Sequence, residues 1–303
     1  MTSRVDSGRT WQVLAAFVAI YLVWGSTYLG IRLAIETLPP FLMAGTRFLV
    51  AGAILYAVGR LRGDPAPERA HWVPSLVLGT LFLLLGNGGV VWAEQRVPSG
   101  LAALLVAVTP VWTTIFEWRK GGQAPGTWTV VGLLGGIAGV GLLVAPAELA
   151  SGAGVDLAGA AGCMISSVSW SAASVMSGGL RLPKSPAIAS SLQMLCGGLL
   201  LVLTGLIVGE GAHLTPSAFS VRSVLALTYL IVFGSLVAFT AYTWLLRVTT
   251  PSRVATCAYV NPVVAVLLGW AVAGEELTPR SGVAAAVIVG AVLLIITTRS
   301  RRV

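Results

Sequence analysis

The chain is short of charge. Of its 303 residues only 10% are Asp, Glu, Lys or Arg, against 56% apolar types. A soluble domain carries about 25% charged residues to cover its surface. Much of this chain's outer surface must therefore face something other than water, which excludes a soluble enzyme and a secreted module. Disorder is excluded too, because it needs low hydrophobicity and high charge. Histidine is nearly missing: His71 and His213 both lie in polar stretches between apolar runs. The three cysteines, Cys163, Cys196 and Cys257, stand far apart inside apolar segments. That spacing offers neither a disulfide framework nor a metal site, so they read as small apolar fillers and no cofactor or metal is expected. Acids number 11 against 19 bases, for a net charge of +8. The bases sit singly or in twos and threes and form no basic face, so a nucleic-acid partner is not expected.

What is abundant is long apolar sequence. A transmembrane helix needs about 20 mostly apolar residues. Ten stretches qualify: about 11–31, 40–59, 73–93, 98–118, 126–145, 156–177, 186–208, 222–245, 253–273 and 279–298. Breakers separate them, among them Pro39-Pro40, Gly63-Asp64-Pro65, Pro98, Pro146, Pro183, Pro251 and Pro279. Several of these prolines fall at a first helical turn, where the missing N–H costs nothing. The runs are too long for barrel strands and lack period-2 alternation. The first run continues through Trp24 to Gly30 without a small-residue cleavage site, so it is kept as a span rather than a signal peptide. The expectation is an all-α integral membrane protein of ten helices in a lipid bilayer.

Basic residues orient the spans. With the N-terminus inside, the cytoplasmic segments hold Arg4, Arg9, Arg60, Arg62, Arg69, Arg119, Lys120, Arg181, Lys184, Arg247, Arg253, Arg299, Arg301 and Arg302. The opposite side holds Arg32, Arg96, Arg222 and Arg280. Both termini are expected in the cytoplasm.

The second half echoes the first. Trp24-Gly25-Ser26-Thr27-Tyr28 matches Trp170-Ser171-Ala172-Ala173-Ser174, and Pro40, Arg47 and Gly52 match Pro186, Gln193 and Gly198. Pro98-Ser99 with Thr109-Pro110 matches Pro251-Ser252 with Asn261-Pro262, with one residue of slip. Pro125 and Gly136 match Pro279 and Gly290. The chain divides into a first repeat, 1–150, and a second, 151–303. Each has five spans, an odd number, so the halves enter the membrane from opposite sides. Inverted repeats of this kind enclose a site near the midplane and open it to each side in turn.

These residues resemble a known family. Trp24-Gly25-Ser26-Thr27, Pro40 with Arg47-Phe48, Pro98-Ser99 with Thr109-Pro110, and Asn261-Pro262 with Gly274-Glu275-x-Leu277-Thr278 look like the EamA-type members of the drug/metabolite transporter superfamily. The resemblance covers about residues 12–298. The stretch from Thr109-Pro110-Val111-Trp112 to Phe116-Glu117-Trp118 is similar to a bacterial inner-membrane subgroup whose substrates are uncharacterised or of amino-acid type. The family implies ten helices, cytoplasmic termini, and a cavity lined mainly by spans 1, 3, 4, 6, 8 and 9. One departure stands out. The family often carries Gly-Glu after the fourth span, where this chain reads Arg119-Lys120-Gly121-Gly122, so Glu275 has no counterpart in the first half.

Depth, at 1.5 Å per residue, sorts the candidate residues. Trp11, Trp72, Trp92, Trp118, Trp128, Trp244 and Trp270 lie toward span ends, as an interfacial belt requires. Trp24, Trp112 and Trp170 lie near 20 Å deep, where an indole N–H wants an acceptor. They are read as cavity-lining, with Tyr28 one turn from Trp24. Thr109-Pro110 and Asn261-Pro262 form two related hinge candidates. A helix-interior proline leaves the carbonyl four residues back, of Val106 and Ala258, without its usual donor. Arg47 is the intramembrane charge. Such charges are functional or paired: it can bind a substrate carboxylate or pin backbone carbonyls, and its neutral mate Gln193 favours the pin. Thr27, Asn87, Ser174, Ser235, Thr240 and Tyr259 complete the polar cavity candidates, each of which can equally be helix–helix glue.

No Asp or Glu lies near the middle of a span. Proton-driven antiporters usually bury one there, so the reading leans to facilitated export, with Glu117 the remaining proton candidate. A cavity rich in aromatics and poor in charge suits neutral, zwitterionic or aromatic metabolites. Gly132-x-x-x-Gly136, Gly135-x-x-x-Gly139 and Gly282-x-x-x-Ala286-x-x-x-Gly290 are close-packing surfaces, joining each other or a second copy in a homodimer. The expectation is therefore a secondary carrier of small molecules in the bacterial inner membrane. The alternative is a membrane-embedded enzyme or lipid-handling protein, which would need nucleophiles, metal ligands or paired carboxylates.

Overall fold

The computed structural model describes residues 7–97, 99–150, 156–216, 219–273 and 279–300. It is helical, with no strand among the described residues. In chain order the helices are α1 (Ser7–Ile35), α2 (Pro40–Leu61), α3 (Arg69–Ala93), α4 (Ser99–Val106), α5 (Thr109–Arg119), α6 (Thr127–Ala150), α7 (Leu157–Ser177), α8 (Pro186–Ile207), α9 (Val221–Val248), α10 (Pro251–Val254), α11 (Cys257–Ala273) and α12 (Pro279–Ser300). Every one of the apolar stretches carries helix. Five of the helices are long and apolar enough to cross a membrane: Thr10–Ile35, Pro40–Leu61, Arg69–Ala93, Pro186–Ile207 and Val221–Val248. Pro98, the segment Gly274-Glu275-x-Leu277-Thr278 and both chain ends lie outside the described residues.

Local signals set the helix starts. Pro40, Pro186 and Pro251 occupy first turns, where their fixed φ suits the helix. Asp156, Ser185 and Ser220 each accept a hydrogen bond from a backbone N–H three residues on, satisfying one of the orphan donors there. The α2 start is capped from far away in sequence. Both oxygens of Glu210 accept from the backbone N–H groups of Phe41 and Leu42, at 3.1 and 2.9 Å.

α2 and α8 are built alike and pack on each other. Each has 22 residues and opens on proline. Each is followed by a left-handed glycine, Gly63 at φ +85° and Gly209 at φ +87°, a conformation that glycine adopts without a Cβ penalty. After each glycine comes an acid that reaches the other helix's start. Glu210 caps α2, and Asp64 accepts from the hydroxyl of Ser185, the cap of α8, at 2.6 Å.

Two helices are interrupted. The stretch read as one span over 98–118 breaks at Ala107-Val108, between α4 and α5. The stretch read over 253–273 breaks at Ala255-Thr256, between α10 and α11. Two others, α3 and α9, carry π-helical segments at Thr80–Asn87 and Leu230–Phe239. α6 and α12 pair through small residues. The glycines at 132 and 139 meet Ile295 and Ile288, and Gly136 lies where a Cβ would fall 2.5 Å from the Tyr259 ring. Gly282 and Gly290 face nothing within 4 Å, so of the small-residue surfaces only that of α6 is used inside the described residues.

Candidate functional site

One cavity is walled by both halves of the chain. Its lining includes Trp24, Thr27, Tyr28 and Ile31 of α1, Arg47 and Phe48 of α2, and Gly86, Asn87 and Val90 of α3. Val106 and Thr109 come from either side of the first break. From the other half come Ser166, Ser167 and Trp170 of α7, Gly234, Phe239 and Tyr242 of α9, and Cys257, Ala258 and Asn261 of α11. α2 thus joins the six spans that the family resemblance implied. The cavity encloses about 100 Å³, below the roughly 300–1,000 Å³ of ligand pockets.

Aromatic rings form its body. Trp24 and Trp170 meet edge-on, with centroids 5.4 Å apart and planes at 83°. Tyr242 stands 4.9 Å from Trp24 and 5.5 Å from Trp170. Phe82 and Phe239 close the cluster behind Trp170. Edge-to-face pairs of this kind are favoured by the ring quadrupoles.

The π segments of this wall have side-chain donors on some of their carbonyls. A π turn displaces backbone carbonyls from the regular ladder, and in an apolar surrounding such groups need donors. Ser166 and Ser169 of α7 donate to the carbonyls of Gly86 and Leu81, at 2.6 and 2.9 Å, in the α3 segment. The Trp24 indole donates to the carbonyl of Gly234, at 3.2 Å, in the α9 segment. The deep indole of the first span has its acceptor there.

Arg47 is 3% exposed. Its Nε donates to the Ser235 hydroxyl at 2.8 Å, and its guanidinium carbon lies 4.7 Å over the Phe48 ring. It makes no ion pair among the described residues. One nitrogen thus does the pinning, on a side chain rather than on carbonyls, while the guanidinium stays in the cavity wall. A Cβ at Gly234 would fall 2.6 Å from Nη2, so glycine is what lets the guanidinium approach α9. Two further polar atoms in this wall, Oδ1 of Asn87 and Oδ1 of Asn261, are buried without a partner among the described residues.

Other expected site residues stand elsewhere. Trp112 lies on α5, stacked on Phe116 at 6.3 Å with its indole N–H unpartnered, outside the lining. Tyr259 is fully buried and donates to the Leu133 carbonyl at 3.0 Å, tying α11 to α6. Ser174 sits behind the rings, bonded to the Tyr242 hydroxyl at 2.8 Å. Ser235 serves Arg47. Thr240 is partly exposed and off the cavity, its hydroxyl oxygen buried with no partner among the described residues. Pro110 is not in a helix interior: it occupies the first turn of α5, and the Val106 carbonyl accepts from the Thr109 hydroxyl at 2.6 Å. Pro262 does lie inside its helix, and Ala258, whose carbonyl it cannot serve, lines the cavity. Glu117 lines a peripheral cleft and accepts from the backbone N–H of Ser252 at 3.4 Å.

Tyr242, Phe82, Phe239 and the Ser166-Ser167 pair were not anticipated. The serines had a visible signal: Ser166, Ser167, Ser169, Ser171 and Ser174 crowd one short stretch, dense polarity for an apolar helix. At the helix ends, Trp11, Trp72, Trp118 and Trp128 are exposed, as a belt requires, while Trp92 and Trp244 are partly buried. The side chain of Trp270 lies outside those described.

Comparison with known proteins agrees with this architecture. The model of the EamA-like transporter family matches the chain twice, over residues 10–145 and 157–297. The inner membrane transporter YedA of Escherichia coli (strain K12) is 39% identical over 284 residues, covering 93% of this chain and 90% of that one. The WAT1-related protein At3g02690, chloroplastic, of Arabidopsis thaliana is 24% identical, covering 94% and 69%. A solved crystal structure aligns over 96% of this chain and 98% of its own with a TM-score of 0.76, at 22% identity.

Proposed function

Because the chain belongs to the EamA-like transporter family, we propose that this inner-membrane protein is a secondary carrier exporting small zwitterionic or aromatic metabolites, amino acids among them, by alternating access. The family and the relatives' names point to transport rather than catalysis. The observation that carries the substrate class is Arg47. A guanidinium with no carboxylate partner among the described residues, in an aromatic wall, is an incomplete charge pair. A substrate carboxylate completes it through the two terminal nitrogens, and bidentate pairs of this kind are the strong ones. The unpartnered Oδ1 atoms of Asn87 and Asn261 are acceptors for the ammonium of the same molecule. Trp24, Trp170 and Tyr242 then take an apolar or aromatic side chain. Metabolites made in the cytoplasm move outward down their own gradient.

Two inverted five-helix repeats, 1–150 and 151–303, supply the moving parts. Three observations support that reading. The family model matches once in each half. The α2 and α8 helices share length, opening proline, left-handed glycine and reaching acid. Helix contacts also survive exchange of the halves: α1 packs on α9 and α11, as α7 packs on α3 and α5, while α2 packs on its mate α8 and α6 on its mate α12. Ten crossings with both ends in the cytoplasm follow from the odd number per repeat and from the basic loops.

Counterflow tests the proposal. Proteoliposomes preloaded with L-phenylalanine should accumulate labelled L-phenylalanine above empty vesicles. Trp24→Ala and Trp170→Ala should each weaken apparent affinity about tenfold, roughly 1.4 kcal/mol. Equal uptake by protein-free vesicles, across a panel of amino acids, would overturn the reading.

A further inference from the structure

Glu94 is the first residue past α3, one turn beyond the cavity-lining Val90. Both of its carboxylate oxygens are buried and neither has a hydrogen-bond partner among the described residues. An ionised carboxylate in that position would be costly, because nothing replaces the water it gives up. Burial pushes its carboxyl up to about 8, with Arg32 pulling the other way.

The groups facing it come from each neighbouring helix. α1 supplies Tyr28, in the cavity wall, and Arg32, one turn further along and exposed. α7 supplies Cys163. Arg96, two residues on, is taken by Asp156 at 3.7 Å and by the Trp92 ring. On α2, which packs against the end of α3, the ionisable groups are Arg47 in the cavity and Tyr56 and Arg60 toward the far end. None of these is bonded to Glu94, so the neutral carboxyl is far less costly to bury there than the carboxylate.

We propose that Glu94 is a proton-binding site that governs this end of the cavity: protonated while the end is sealed, ionised when it opens. The inference rests on the carrier reading and adds a ligand, the proton, to it. On opening, the carboxyl gives its proton to entering water and the carboxylate is stabilised by that water and by Arg32. Before resealing it takes a proton back from water on the same side. Substrate exit through this end is thereby tied to proton exchange, and acid on this side favours closure. The sign follows from a carboxyl held above its ordinary value. The sealed form is favoured fully below about pH 4.5 and loses that advantage as pH rises through about 8.

Labelling tests this without a known substrate. Val90→Cys is made with Cys163, Cys196 and Cys257 replaced by Ala, and a membrane-impermeant thiosulfonate is applied to one face of the vesicles at a time. Dividing the rate by that of the same protein carrying Glu94→Gln cancels the thiol's own pH dependence. From the Glu94 face the ratio should rise several-fold between about pH 6 and pH 9, and Glu94→Asp should keep the rise. A ratio flat with pH would overturn the proposal. In the otherwise unaltered chain, thermal stability in detergent should fall over the same range, and Glu94→Gln should flatten that fall. Parallel falls in both would also overturn it. The counterflow assay reports separately: a pH step without amino-acid flux sinks the substrate class and leaves the proton site standing, while flux without the step does the reverse.

Discussion

α2 and α8 match residue for residue in their architecture, whereas the two interrupted helices do not match in theirs. On the first pair the offset of 146 residues carries Pro40 onto Pro186, Gly63 onto Gly209 and Asp64 onto Glu210. On the second, the break falls two residues before Pro110 on one side and six before Pro262 on the other. A threonine hydroxyl serves a carbonyl at each break, Thr109 to Val106 and Thr256 to Arg253, both at 2.6 Å, but Pro110 opens its helix while Pro262 sits within a continuing one. The packing pair is alike in its two helices, whereas the interrupted helices beside the cavity differ. Arg47 and its mate Gln193 show the same within α2 and α8: both are buried, yet only Arg47 reaches the cavity.

Breaking the Arg47–Gln193 contrast should have the largest effect. Arg47→Gln removes a charge-assisted contact worth about 1.5–3 kcal/mol, so amino-acid counterflow should weaken roughly tenfold to hundredfold. Gln193→Leu should leave flux unchanged, because Oε1 of Gln193 is buried without a partner and its loss costs nothing. Equal effects at the two positions would make Arg47 a structural pin only. A smaller effect is expected at the prolines. Pro262→Ala restores a donor to the Ala258 carbonyl and should slow counterflow a few-fold with apparent affinity kept, whereas Pro110→Ala, at a first turn, should do little. The smallest contrast lies at the reaching acids. Glu210→Ala should cost about 1 kcal/mol of stability, as loss of a helix cap does, and Asp64→Ala less, since Asp64 meets a hydroxyl rather than backbone N–H groups. Thermal unfolding in detergent would rank the two.

The helices were legible in the sequence because apolar run length and proline position dictate them directly. The start of α2 at Pro40 and of α8 at Pro186 fell where expected. Trp24 and Trp170 were legible for a similar reason: a large polar-tipped ring far from a helix end has few places to go. Trp112 and Glu94 were not, and the cause is common to both. Counting 1.5 Å and about 100° per residue assumes an unbroken α-helix. The break at 107–108 resets the direction before Trp112. The π segment at Thr80–Asn87 adds length to a turn and so rotates everything after it, including Glu94, relative to the face a regular helix would present. Tyr242 follows the π segment of α9 in the same way.

The crossed acids Glu210 and Asp64 tie each end of the α2–α8 pair to the loop leaving its partner. A helix lashed at both ends cannot slide along the other without undoing two anchors together. In the carrier cycle proposed above, the pair serves as an axle, turning as one body while interrupted helices flex around it. Spectroscopic rulers placed on α2 and α8 should read one fixed span throughout the working cycle.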